Sequence, residues 1–195
     1  MKFLGLIAAA LVATGSVAQA DVTFFDAQAF QAQAMVEAAT APTGLNWKVG
    51  DQADYKIAIG GFINGTSHNF VREETATSVW MQQDMDMGFM GKQKIEILMT
   101  KATGAIEKML VNGKEETPPD ASDAEVVEMK EDKVTVAAGT FECIYAKIKS
   151  KKDGSIQEAW INPQAVPMSG MLKALADSQF GKVTQELTKS SFAQR

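Results

Sequence analysis

Chemistry in this chain must be drawn from few reactive side chains: one histidine, one cysteine and eleven methionines. A Ser-His-Asp or Cys-His nucleophile needs a base within hydrogen-bond reach, so any such centre would have to use His68. The sequence has no Gly-x-Ser-x-Gly elbow and no His-Glu-x-x-His zinc helix. The adjacent carboxylates Glu73 and Glu74, and Glu115 and Glu116, lie on polar segments. Neighbours on a strand point to opposite faces, so neither pair can flank one scissile bond. Gly60-Gly61 lacks the Lys-Ser/Thr and the helix that complete a phosphate loop. These absences predict a protein that is not an enzyme and needs no cofactor, with His68 as a solvated strand residue.

The methionines are the more suggestive group. Met81, Met85, Met87 and Met90 fall within ten residues, beside Trp80 and Phe89. Soft thioethers select Cu(I), and Met85 and Met87 share a face if extended. Asp84 and Asp86 interleave with them, however, and hard oxygens do not favour that ion. Methionine is also the adaptable filler of apolar sites, suited to an acyl chain or a hydrophobic partner. The aromatics Phe70, Trp80, Phe89, Phe141, Tyr145 and Trp160 are spread over separate expected strands. Facing one side, they would line a pocket for a lipophilic ligand; the same residues would equally build an ordinary core. The expected ligand-binding set is Met81, Met85, Met87, Met90, Trp80, Phe89, Tyr145 and Trp160, with no metal site.

These residues sit on elements of period two. Tyr55, Ile57 and Ile59 alternate with Asp54, Lys56 and Ala58; Ile95, Ile97 and Met99 with Lys94, Glu96 and Leu98. Ile106, Lys108 and Leu110 alternate with Glu107, Met109 and Val111, and Val183, Gln185 and Leu187 with Thr184, Glu186 and Thr188. Such runs predict antiparallel strands. Asn64-Gly65, Asn112-Gly113 and Asp153-Gly154 accept the positive φ of tight hairpins and are read as their turns. Residues 115–123, with two prolines and several acids, read as an exposed loop within one sheet. In 141–148, Phe141, Cys143 and Tyr145 point one way, and Ile144, Ala146 and Ile148 the other. A sheet wet on one side would not be apolar on both, so both faces must be covered or one must line a cavity. Cys143, lone and among apolar neighbours, is expected to be buried and inert. Before the sheet, Asp26 can cap an Ala/Gln-rich helix over about 26–40 with the stripe Phe30, Ala34 and Ala38.

The first twenty residues read as a secretory signal: Lys2, an apolar run from Phe3 to Ala13, and small residues at Ala18 and Ala20. Cleavage before Asp21 would release a single domain, 21–195, to the periplasm or beyond. No later segment has the ~18–20 apolar residues of a membrane helix. With 19 basic against 24 acidic residues, net −5, the chain lacks the basic stripe of a nucleic-acid binder.

Three segments carry a family likeness: Val134 to Cys143, a strand, a glycine turn and a strand; Trp160 to Lys173, a strand running into a Pro/Gly corner; and Trp47 to Asp51, leading into a tyrosine-bearing strand. In this order the chain resembles exported bacterial proteins similar to the lipoprotein-carrier (LolA/LolB-like) superfamily. The resemblance implies a mainly β fold, an unclosed antiparallel β-barrel with helices plugging the concave face and an apolar cavity between. No lipid-contacting residue is carried over by it. The leading expectation is a periplasmic, non-catalytic binding or carrier module for a lipophilic ligand such as a lipid or acyl chain. The alternatives are an envelope structural or protein-interaction domain with a filled core and, third, a Met-rich Cu(I)-binding protein.

Overall fold

The computed structural model describes residues 44–118, 124–151, 153–178 and 180–194. The signal segment 1–20 and the expected helix at 26–40 lie outside the described residues. The described chain forms one antiparallel sheet of eleven strands. They are β1 (Gln52–Ile59), β2 (Ile63–Glu74), β3 (Ser78–Asp86), β4 (Lys92–Thr100), β5 (Ile106–Val111), β6 (Lys114–Glu116), β7 (Ala124–Val136), β8 (Gly139–Ser150), β9 (Ile156–Ile161), β10 (Met171–Ser178) and β11 (Gly181–Ser191). Their order is β6-β5-β4-β3-β2-β1-β11-β10-β9-β8-β7, so two meanders meet where β1 pairs with β11.

Chain length forces the sheet to curl. Laid flat, eleven strands would put β6 and β7 about 48 Å apart, at about 4.8 Å per interval. Only the stretch between Glu116 and Ala124 joins these two edges, and about eight residue steps reach about 29 Å at most. Bulges at Asp54/Tyr55, Val71/Glu73, Leu98/Met99, Val126/Glu128 and Met171/Lys173 supply local bend and twist. The β7–β8 hairpin also overhangs β9, which pairs with β8 only from Ile144 onward. Its tip comes back to β11, where the Ala138 N–H donates to the Leu187 carbonyl at 3.3 Å. The result is an open half-barrel. Among the described residues no helix is long and apolar enough to cross a membrane.

Two details correct the sequence reading. The first hairpin turns at Gly60-Gly61, with φ of 58° and 80°, whereas Asn64-Gly65 lies inside β2. Gly65 is needed for close approach: a Cβ there would stand 2.4 Å from the Met87 Sδ. In β5 the expected alternation fails because the bulge at Leu98/Met99 shifts the register. Ile106, Met109 and Val111 therefore pack against the core, opposite Met99, Ile97 and Ile95. The turns at Asn112-Gly113 and before β9 fall where the dipeptides put them.

Candidate functional site

The cross-strand registers define one inner face. It carries Tyr55, Ile57 and Ile59 from β1, Ser67, Asn69 and Val71 from β2, Val79, Met81, Gln83 and Met85 from β3, and Ile95, Ile97 and Met99 from β4. Strict alternation places these together, and all are buried. Met109 of β5 packs against the same cluster. Methionine is thus the dominant long side chain on the inner face of β3–β5. On the other meander the same face carries a row of alanines set between larger pairs, Ile144 with Ile161 and Ile148 with Gln157. Ala146, Ala159 and Ala174 lie side by side across β8, β9 and β10, followed by Gln185 of β11 and Ile57 of β1.

Amides are set into this apolar surface. The Gln83 Nε2 donates to the Ser67 Oγ at 2.9 Å, and Ser67 donates to the Asn69 Oδ1 at 2.6 Å. That relay fixes the Gln83 amide and leaves its Oε1 buried with no partner. The Oε1 of Gln93, which stands opposite Met85, the Oε1 of Gln157 and the Nε2 of Gln185 are also buried and unpartnered. Native cores leave few such groups, because each costs about 1–3 kcal/mol. The two buried acids among the described residues are engaged otherwise. Asp51 accepts from the backbone N–H groups of Lys48 and Ala193, and Glu96 pairs with Arg72 and Lys94 on the opposite face.

The predicted ligand residues divide between the faces. Met81, Met85 and Met87 come together in the buried core, while the interleaved Asp84 and Asp86 fall on the opposite face. Phe89 and Met90 occupy a single 3₁₀ turn, Gly88–Met90, and are solvent-exposed, Phe89 at 83%. Trp80 is on the opposite face, with the Arg72 guanidinium 4.9 Å from its ring. Tyr145 and Trp160 are cross-strand partners on that same opposite face, ring centres 5.1 Å apart and edge to face. They belong to a ladder that runs across the sheet. Lys56 and Lys173 both bind Glu186, at 2.7 and 3.0 Å; Lys173 stands over Trp160, Trp160 meets Tyr145, and Lys130 stands over Tyr145. Each contact is between register partners, so the pleat itself builds the ladder.

Sequence reasoning missed the inner-face amides. The signal was present in β3: Gln83 interrupts the two-residue spacing Val79, Met81, Met85, Met87. A polar residue in an apolar stripe marks a satisfied network or a binding group.

The remaining reactive groups are accounted for locally. His68 is partly exposed on the opposite face, its Nδ1 2.6 Å from the Asp54 Oδ1 and its ring 5.0 Å from Phe70. The neighbouring Ser67 is turned to the other face and held by Asn69 and Gln83, so these three do not form a nucleophilic triad. Cys143 is free and buried, its Sγ 3.4 Å from the Asp132 carbonyl oxygen. Burial first, then the Asp132 charge, pushes its thiol pKa up, which disfavours the reactive thiolate. Among the described residues no group of three His, Cys, Asp or Glu side chains is placed to hold a metal ion.

The fold and this interior define an open antiparallel half-barrel with a methionine- and amide-lined inner face. No protein-family model matches the chain, and no curated protein matches it. Solved structures of similar layout include a chain of the Pseudomonas aeruginosa MucA/MucB complex, 14% identical with a TM-score of 0.47, covering 87% of this chain and 58% of that one. The hypothetical protein CT021 from Chlamydia trachomatis is 11% identical with a TM-score of 0.47, covering 83% and 92%. LprF from Mycobacterium bovis is 11% identical with a TM-score of 0.34, covering 87% and 94%. The present chain therefore spans less than two thirds of the MucA/MucB chain that it matches. At these identities the likeness is one of overall fold alone.

Proposed function

We infer that this protein is a non-catalytic binding module of the bacterial periplasm, exported by residues 1–20, which takes a lipophilic group such as a lipid or acyl chain on its inner face. The observation that carries the reading is the interior of β3–β5. Met81, Met85, Met99 and Met109 are gathered on one curved, open-edged sheet. Unbranched thioethers repack at low cost, so they can give way to an entering chain. Burying a sixteen-carbon acyl chain offers about 12 kcal/mol at about 0.8 kcal/mol per CH₂. After association costs of at least about 4 kcal/mol, micromolar binding remains within reach.

The test is native mass spectrometry of protein purified from the envelope, with lipid extraction, together with titration of an apolar fluorescent probe. A co-purifying lipid and a saturable fluorescence gain support the reading. A protein that carries no lipid and shows no gain overturns it. That outcome would favour the second reading, an envelope interaction domain. One observation speaks for the second reading: edge strand β7 is thirteen residues long and exposes Val126, Val127 and Met129, Met129 at 71%. A long edge strand with unpaired backbone groups is a template for strand addition by a partner.

A further inference from the structure

The four unpartnered amide atoms say what kind of lipophilic group the inner face fits. Three are carbonyl oxygens, of Gln83, Gln93 and Gln157, and one is the amide nitrogen of Gln185. Gln83, Gln157 and Gln185 are each more than nine-tenths buried. The Gln83 oxygen is held in place, because its own nitrogen is committed to the Ser67–Asn69 relay. A plain hydrocarbon chain would leave all four unsatisfied, and a simple ester brings acceptors where three of the four sites need donors. A carboxylate or phosphate brings charge, yet no lysine or arginine is buried among the described residues to receive it.

We propose that the inner face selects an uncharged amphiphile bearing N–H or O–H donors next to its apolar chain, such as a primary fatty amide or a hydroxyl-bearing acyl lipid. This deepens the ligand-binding reading and rests on it. The Gln83 and Gln93 carbonyls accept from the donor group, while the chain lies along the methionines. Gln93 and Gln83 stand near each other because Gln93 is two residues from Ile95, the cross-strand partner of Gln83.

Three probes with one acyl chain separate the possibilities in the wild-type protein: oleamide, N,N-dimethyloleamide and oleate. Dimethylation removes the donors and keeps the carbonyl; oleate replaces the amide with a charge. Oleamide is expected to bind at least about tenfold more tightly than either, about 1.4 kcal/mol. In Gln83→Leu, which keeps the apolar surface, the advantage over the dimethyl amide should fall to within about threefold. Equal affinity for oleamide and its dimethyl analogue in the wild type overturns the proposal while leaving ligand binding itself intact. An undiminished preference in a folded Gln83→Leu overturns the assignment to this face. Failure of all three probes to bind overturns the ligand-binding reading, and this proposal falls with it.

Discussion

The two meanders differ in the side chains at the middle of their inner faces. In β3–β5 Met81, Met85 and Met99 lie buried among Val79, Ile95 and Ile97; across β8–β10 the central buried row is Ala146, Ala159 and Ala174, flanked by Ile148 and Gln157. Both sets are buried, so burial alone does not distinguish them. The difference lies in what each can do next. A methionine has three rotatable bonds and can find a new arrangement when its neighbours move. An alanine has none, so a row of them has no side-chain volume to give up. Adaptable side chains are therefore concentrated around the methionines of β3–β5, and the alanine row of β8–β10 is the less yielding part of the inner face.

The strongest test of this contrast is a pair of leucine substitutions. Ala159 is fully buried and lies between Ala146 and Ala174. Ala159→Leu should destabilise the protein by about 2–3 kcal/mol, because a packed face must absorb three added carbons. Met81, also fully buried, is replaced at nearly constant volume in Met81→Leu, which should cost less than about 1.5 kcal/mol. Urea unfolding read by tryptophan fluorescence gives both values. Equal costs would erase the distinction between the halves.

A smaller effect is expected where the halves are joined. Tyr55 of β1 is buried, and its hydroxyl donates to the Met171 carbonyl of β10 at 3.1 Å, passing over β11. Burial, reinforced by the Asp54 charge, pushes its pKa well up, so the hydroxyl remains a donor in alkaline solution. Tyr55→Phe leaves the carbonyl without this partner and should cost about 1 kcal/mol. Unfolding at pH 7 checks the size. A direct ultraviolet titration checks the other half of the claim: one tyrosine should ionise only upon unfolding.

Period-two alternation made the strands and the single antiparallel sheet legible in the sequence, because burial on one face leaves a direct mark on residue order. The methionines at 81, 85 and 87 were legible as one face for the same reason. Other features left weaker marks. Asn64-Gly65 carries the dipeptide of a turn, but Gly65 serves the close approach of Met87, and only the three-dimensional partner reveals it. The bulge at Leu98/Met99 inserts one residue and turns Met109 inward, which no periodic pattern announces. Tyr145 and Trp160 read as pocket lining because each is aromatic and on a strand. Their place on the opposite face depends on the pairing of β8 with β9 and on the lysines of β7 and β10 beyond them. The charge ladder is a property of register across strands distant in sequence, from Lys56 to Glu186, and so lies beyond local reading.

That ladder supplies the last and smallest test, since it crosses the seam on the face away from the methionines. Glu186 of β11 receives Lys56 from β1 and Lys173 from β10, and its side chain is only 17% exposed. Hydrogen bonding from Lys56, then from Lys173, holds its carboxyl below the ordinary 4.5, against burial that pulls it upward. The sign follows from linkage: a carboxyl whose pKa is lower folded than unfolded stabilises the fold above its unfolded value. That contribution fades as pH falls through the folded value. Glu186→Gln should therefore be less stable than the wild type near pH 7, by less than about 1 kcal/mol. The two proteins should converge as pH drops below about 4, measured as unfolding midpoints across pH 3–7. A gap that widens toward acid would reverse the sign, and would mean that the carboxylate strains the seam instead of tying β1, β11 and β10 together.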